Sequence, residues 1–107
     1  MQLEVLISAV NQKPAELIKK MNLECDGVLV NQCDYDGEET IAAGENTVRI
    51  FHRKERGVGK SRNLALKQSQ QDILLFSDED IVYFPGYAER IKNEFSQHPE
   101  ADMIMFN

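Results

Sequence analysis

No apolar run in this chain approaches the roughly 18 residues that a transmembrane helix needs. The opening stretch MQLEVLISAV has no basic leader and no small-residue cleavage site, so a signal peptide is not expected. Cysteine is scarce: Cys25 and Cys33 are the two present, and they form no C-x-x-C pair. Without a secretory signal they are expected as free thiols in a reducing, cytoplasmic setting. The two histidines, His52 and His98, stand far from the cysteines in sequence, which argues against a zinc site. Net positive charge is also lacking. The formal charge is −6, which argues against general nucleic-acid binding. A length of 107 residues leaves room for one domain.

The basic residues that do occur are unevenly placed. Arg49, Arg53, Lys54, Arg56, Lys60, Arg62 and Lys67 fall in one stretch, with Glu55 the one acid among them. A solvated helix face and loop is the plain reading of such a run. A local anion site in an acidic protein is the sharper one.

Short apolar runs rich in β-branched residues predict strands at 3–8, 27–32, 47–52, 72–77 and 101–106. The run at 72–77, DILLFS, is apolar enough to be buried on both faces. Pro14 suits the first turn of a helix reaching about Met21, with Leu17, Ile18 and Met21 on one face. A second helix is expected over 58–70, with Ser61, Leu64, Ala65 and Gln68 along one side. A third opens at Pro85, with Tyr87, Ile91 and Phe95 recurring at i, i+4 and i+8. The acidic stretch CDYDGEETIAAGEN, residues 33–46, reads as a loop. Strands alternating with helices imply an α/β layered fold with a mainly parallel sheet. Ligands of such sheets bind beyond the carboxyl ends of the strands. Those ends carry Ser8 to Asn11, Asn31 to Asp34, His52 onward and Ser77 to Asp80.

Three motifs can be tested on spacing. RGVGKSRNLAL, residues 56–66, looks at first like a phosphate-binding P-loop. That pattern needs a glycine five positions before its second glycine. With Gly59 as the second, the position falls on Lys54. DYDGEE looks like a calcium loop, which needs glycine at its sixth position. Counted from Asp34, that position is Glu39 and the glycine is Gly37. The third, FSDED, survives. On an extended chain Asp78 and Asp80 share a face, and two carboxylates make a hard-oxygen pocket for Mg²⁺ or Mn²⁺. Such a metal is completed by a ligand's phosphates. The helix starting near Val58 would point its amides and dipole at the same ligand, with Lys60 or Arg62 neutralising the remainder.

The order of strand, RGVGKSRNLAL helix and DILLFSDED resembles the nucleotide-sugar-binding half of glycosyltransferase family 2, which has the GT-A fold. Ser61-Arg62-Asn63 stands at the family's helix start and Asp78-Glu79-Asp80 at its Asp-x-Asp motif. Ser8-Ala9-Val10-Asn11 matches the end of its first strand, and PGYAERIKNEF the helix after the motif. The resemblance implies a truncated, three-layer Rossmann-like GT-A fold over residues 1–107, and an enzyme that transfers a sugar from a nucleoside-diphosphate donor, a UDP-sugar foremost, with inversion. It implies nucleotide-sugar contacts from Ser8, Ala9, Asn11, Asn31, Gln32, Gly57, Gly59, Lys60, Arg62, Asn63, Asp78 and Glu79. Asp78 and Asp80 would hold Mn²⁺ or Mg²⁺. Where the family's second strand usually ends in paired aspartates, this chain has Asn31 and Gln32, so the base is left open. A complete domain of this kind is longer. The acceptor half and its general base would follow Asn107, and this chain by itself would turn over poorly. The apolar ADMIMF would then leave a bare sheet edge, which predicts a homodimer. A non-catalytic α/β interaction module is the alternative, with the P-loop protein behind it.

Overall fold

The computed structural model describes residues 2–97 of the chain. Five strands form one sheet among the described residues, in the order β3-β4-β2-β1-β5. The central strand β1 (Leu3–Val10) runs parallel to β2 (Asp26–Gln32) on one side and to β5 (Ile73–Asp78) on the other. On the far side of β2, β4 (Asn46–Arg53) is also parallel. The outermost strand, β3 (Gly37–Ala43), is antiparallel to β4.

Residues on the two faces of the sheet enter different cores. Leu3, Val5, Ile7 and Ala9 of β1 pack with Leu29, Val48, Ile50 and Ile73. Helix α1 (Pro14–Met21) adds Leu17, Ile18 and Met21 to that cluster, and α3 (Tyr87–Gln97) adds Ala88 and Ile91. Leu6, on the opposite face of β1, packs instead with Val28, Val30, Phe51 and Ala65 of α2 (Val58–Gln68). This follows from strand geometry, in which successive side chains point to opposite faces. Pro14 opens α1, and Asn22 closes it in the left-handed conformation at φ 59°, a role that asparagine tolerates better than most residues.

A buried carboxylate locates the far end of α2. Glu4 is 2% exposed on β1. It accepts the Gln70 N–H at 2.8 Å and faces the Arg49 guanidinium at 3.5 Å. Arg49 in turn donates to the Gln68 carbonyl at the end of α2. One charge pair thus ties β1, β4 and the helix C-terminus together.

The segment between β5 and α3 is pinned from α1. The Tyr83 N–H donates to the Met21 carbonyl at 3.0 Å, and the Glu24 carboxylate accepts the Gly86 N–H at 3.0 Å. The rings of Tyr83 and Tyr87 stack at 4.3 Å. Burial pushes both phenols above their ordinary range, so both stay protonated at neutral pH.

Four expectations need correction. The predicted acidic loop at 33–46 contains β3, joined to β4 by the two-residue turn Gly44-Glu45, with Ala43 opposite Asn46. Gly44 sits at φ 65°, which fits a tight hairpin turn. Its charged, exposed side chains suit an edge strand and hide the strand from a hydrophobicity reading. β5 is not buried on both faces: among the described residues it is an edge strand, and Phe76 is 42% exposed. Helix α3 begins at Tyr87 rather than Pro85, because Pro85 and Gly86 form the preceding turn. Arg49 leaves the basic stretch altogether to pair with Glu4. The predicted strand at 101–106 lies outside the described residues.

Removing the Glu4 carboxylate leaves the Gln70 N–H without its acceptor and Arg49 without its counter-charge, with the Gln68 carbonyl its remaining partner. We expect Glu4→Ala to destabilise the fold by about 3 kcal/mol, read as a lowered midpoint in urea unfolding at unchanged slope.

Candidate functional site

The parallel register brings the exits of β1, β2 and β5 together. Ser8 lies opposite Asp78, and Val10 opposite Gln32. Between these exits and the start of α2 lies a cavity of about 350 Å³, lined by Ser8, Ala9, Val10, Gln32, Ser61, Asp78, Glu79 and Asp80. Ser61 is buried at the foot of α2 and donates to the Ser8 hydroxyl at 3.0 Å. That bond holds the helix start against β1.

The acidic residues reach the cavity by a turn rather than an extended strand. β5 ends at Asp78, and the Ile81 N–H folds back onto the Asp78 carbonyl at 3.3 Å. The expected shared face of Asp78 and Asp80 is therefore replaced by a bend, which still leaves both on the same cavity. Glu79 accepts the Val10 N–H at 3.4 Å, so it braces the end of β1. Arg62 sits 3.7 Å from Asp78. Both side chains are about half exposed, so the pair orients the guanidinium more than it stabilises the fold. Among the described residues no three His, Cys, Asp or Glu side chains gather in a metal-holding arrangement. Two exposed carboxylates with room beside them still suit Mg²⁺ or Mn²⁺, which take one or two carboxylates and complete their shell with water and phosphate oxygens.

A second cavity of about 330 Å³ adjoins the first across Gln32 and Ser61. Arg53, Lys60, Asn63 and Lys67 line it, with Glu55. Lys60 pairs with Glu55 at 3.4 Å. Arg53 Nη1 is engaged by the Gly37 and His52 carbonyls. The expected anion site therefore divides: Arg62 faces the acidic turn, whereas Lys60 and Asn63 face the neighbouring hollow.

The two amides at the end of β2 play unequal parts. Asn31 is buried, and it clamps the Gln12 backbone from both sides: its Oδ1 accepts the Gln12 N–H at 3.0 Å and its Nδ2 donates to the Gln12 carbonyl at 2.9 Å. This carboxamide shapes the turn after β1, where Asn11 holds φ 50° and its N–H donates to the Gln32 carbonyl. Neither Asn11 nor Asn31 lines either cavity. Gln32 borders both. Its Nε2 donates to the Gly57 carbonyl at 2.8 Å, which leaves its Oε1 as an acceptor. Gly57 caps α2 at φ 116°, a conformation that L side chains rarely adopt. Gly57 and Gly59 both have open space where a Cβ would stand, but neither lines either cavity.

Ser61 and Val10 were not among the expected site residues. A hydroxyl on the apolar side of a predicted helix was the available signal for Ser61. Val10 stood in the Ser8-Ala9-Val10-Asn11 match, but an apolar side chain gave no reason to single it out.

A mostly parallel α/β sheet with an acidic turn and a helix start on one cavity puts polar groups beyond the carboxyl ends of the strands, where ligands of such sheets bind. The chain matches the model of the family described as Glycosyl transferase family 2 over residues 3–106, and it belongs to that family. No curated protein and no solved structure gives a significant match.

Asn31→Asp keeps the acceptor that holds the Gln12 N–H but removes the donor to the Gln12 carbonyl. We expect a loss of about 1–3 kcal/mol in unfolding free energy, measured by denaturant titration, with the β-rich circular dichroism spectrum retained.

Proposed function

We propose that the chain is the nucleotide-sugar-binding part of a glycosyltransferase that moves a sugar from a nucleoside-diphosphate donor, a UDP-sugar foremost, onto an acceptor hydroxyl with inversion. The observation that carries this reading is the convergence of Ser8, Gln32, Ser61 and the Asp78–Asp80 turn on one cavity, with Arg62 alongside. Family membership supports the transfer of a sugar between a nucleotide-sugar donor and an acceptor. A three-layer, Rossmann-like arrangement belongs to the same reading. It is supported by α1 and α3 sharing one apolar cluster while α2 belongs to the other.

Each group has a part in this mechanism. Asp78 and Asp80 would hold Mn²⁺ or Mg²⁺, which when bound supplies positive charge to the departing diphosphate. Arg62, oriented by Asp78, places a second cation where that charge develops. Gly57 just before α2 and Gly59 in its first turn leave space that would let amide groups approach phosphate oxygens. The free Oε1 of Gln32 can accept from a base N–H, and its fixed Nε2 keeps the carboxamide from flipping. The free, buried thiols fit a reducing, cytoplasmic setting. Self-association through the apolar stretch 101–106, which lies outside the described residues, is part of the proposal, and the exposed apolar residues Phe76, Val82 and Phe84 support it as further apolar surface.

Thermal unfolding with UDP, GDP, ADP and ATP, each with and without Mn²⁺, tests the donor site. A ligand at about 100 times its dissociation constant stabilises by roughly 2.7 kcal/mol, and each kcal/mol is worth about 4–8 °C for a domain of this size. We expect a metal-dependent rise with UDP that is lost in Asp80→Ala and reduced in Arg62→Ala. A rise with ATP alone, or one that survives Asp80→Ala, overturns the reading. Light scattering at high concentration tests self-association. A species of at least two chains is expected, and Phe84→Ser should lower its apparent mass towards that of a monomer.

A further inference from the structure

A second cluster of reactive groups lies away from the cavity just described. Cys33 follows the last residue of β2, Glu39 lies on β3 and His52 on β4. The hairpin and the parallel pairing bring the three together. His52 is 3% exposed, and its Nε2 stands 2.7 Å from the Glu39 carboxylate. That contact makes Nε2 the protonated nitrogen, because a carboxylate accepts. Nδ1 is then the basic nitrogen, and the Asn31 amide lies against it at 3.3 Å as a donor. The Cys33 S–H donates to the Tyr35 carbonyl at 3.3 Å, and its Sγ is 3.9 Å from the same Nδ1. The tilted ring of Tyr35 lies 4.8 Å from the imidazole, and Tyr35 is about half exposed.

A buried cysteine is ordinarily inert, and Cys25 is such a residue. Burial raises its thiol above the ordinary range, and its near neighbour is the Tyr87 hydroxyl at 3.5 Å. Cys33 differs because a base is within reach and a third group orients that base, which is the arrangement of an activated nucleophile. We infer that Cys33, His52 and Glu39 form a base-assisted thiol site that exchanges with small-molecule disulfides. The Cys33 S–H turns from the Tyr35 carbonyl to His52 Nδ1, which takes its proton as the Asn31 amide gives up its contact there, and Glu39 stabilises the resulting imidazolium. The thiolate attacks one sulfur of the disulfide; a Cys33 S–S bond forms as the original S–S bond breaks. The departing thiolate takes the proton back from His52 and leaves as a thiol. Cys33 is oxidised and the disulfide supplies the oxidant. Tyr35 limits access, because it is the exposed side chain covering the imidazole. This chemistry does not depend on what the neighbouring cavity binds.

The test uses the full chain and the chromogenic disulfide dithiobis(nitrobenzoate), with the modified cysteine identified by peptide mass and oxidised glutathione as a second probe. Cys33 is expected to react before Cys25 in the folded protein. His52→Gln and Glu39→Gln should each slow Cys33 by about tenfold or more, while Tyr35→Ala should speed it. Circular dichroism checks that each variant is folded. If His52→Gln fails that check, Glu39→Gln decides, since Glu39 is at the surface. Reaction of Cys25 as fast as Cys33, or an unchanged Cys33 rate in folded Glu39→Gln and His52→Gln, overturns the inference.

Discussion

The constraint on which the rest depends is the parallel alignment of β1 with the strands on both sides of it. Parallel strands hydrogen-bonded in register end at the same edge of the sheet, so the polar residues that follow each strand must meet there. Ser8 faces Asp78 across one ladder and Val10 faces Gln32 across the other. A shift of one residue in either ladder would turn the side chains of that strand to the opposite face and scatter the cavity lining. The fully buried residues Val5, Ile7, Val28 and Leu29 hold the register, since none can turn outward without exposing apolar surface to water.

Helix α2 is the second part of the frame, and polar groups fix it at both ends. At its start, Ser61 bonds to Ser8 and the Gly57 carbonyl accepts from Gln32. At its finish, Glu4 and Arg49 gather the chain after Gln68. Its apolar share is small, with Ala65 fully buried and Leu64 partly so. The polar anchors therefore decide where its first turn points, and with it the position of Arg62 relative to Asp78. A helix held by grease alone could slide along the sheet; one held by directional bonds at two ends cannot.

The end of β2 separates two kinds of chemistry. Gln32 looks into the cavities. Asn31 looks back into the turn after β1 and towards His52. Adjacent residues on a strand point to opposite faces, and this alternation leaves the Cys33, Glu39 and His52 cluster outside the lining of the cavity at the acidic turn. The hairpin of β3 and β4 contributes nothing to the lining of the cavity at the acidic turn, but it supplies two of the three members of that cluster.

Much of the fold was legible in the residues themselves. The apolar runs of β1, β2 and β4, the Leu17, Ile18 and Met21 stripe of α1 and the Tyr87, Ile91 and Phe95 spacing of α3 declare their elements, because burial demands a period that matches the secondary structure. The family was legible too, since the RGVGKSRNLAL helix followed by DILLFSDED resembles the family's order, and the family model matches residues 3–106. β3 was not legible, because an edge strand made of Gly37, Glu38, Glu39 and Thr40 buries too little to show an alternating pattern. Nor was the division of labour among polar residues. Sequence alone determined which chemical groups the chain possesses and the order in which strands and helices deliver them. Tertiary structure decided that Arg49 belongs to Glu4, that Asn31 serves the backbone while Gln32 faces the cavity, and that Cys33 meets His52. Hydrogen bonds between residues distant in sequence depend on register and on strand direction, and neither is written in any local stretch of the chain.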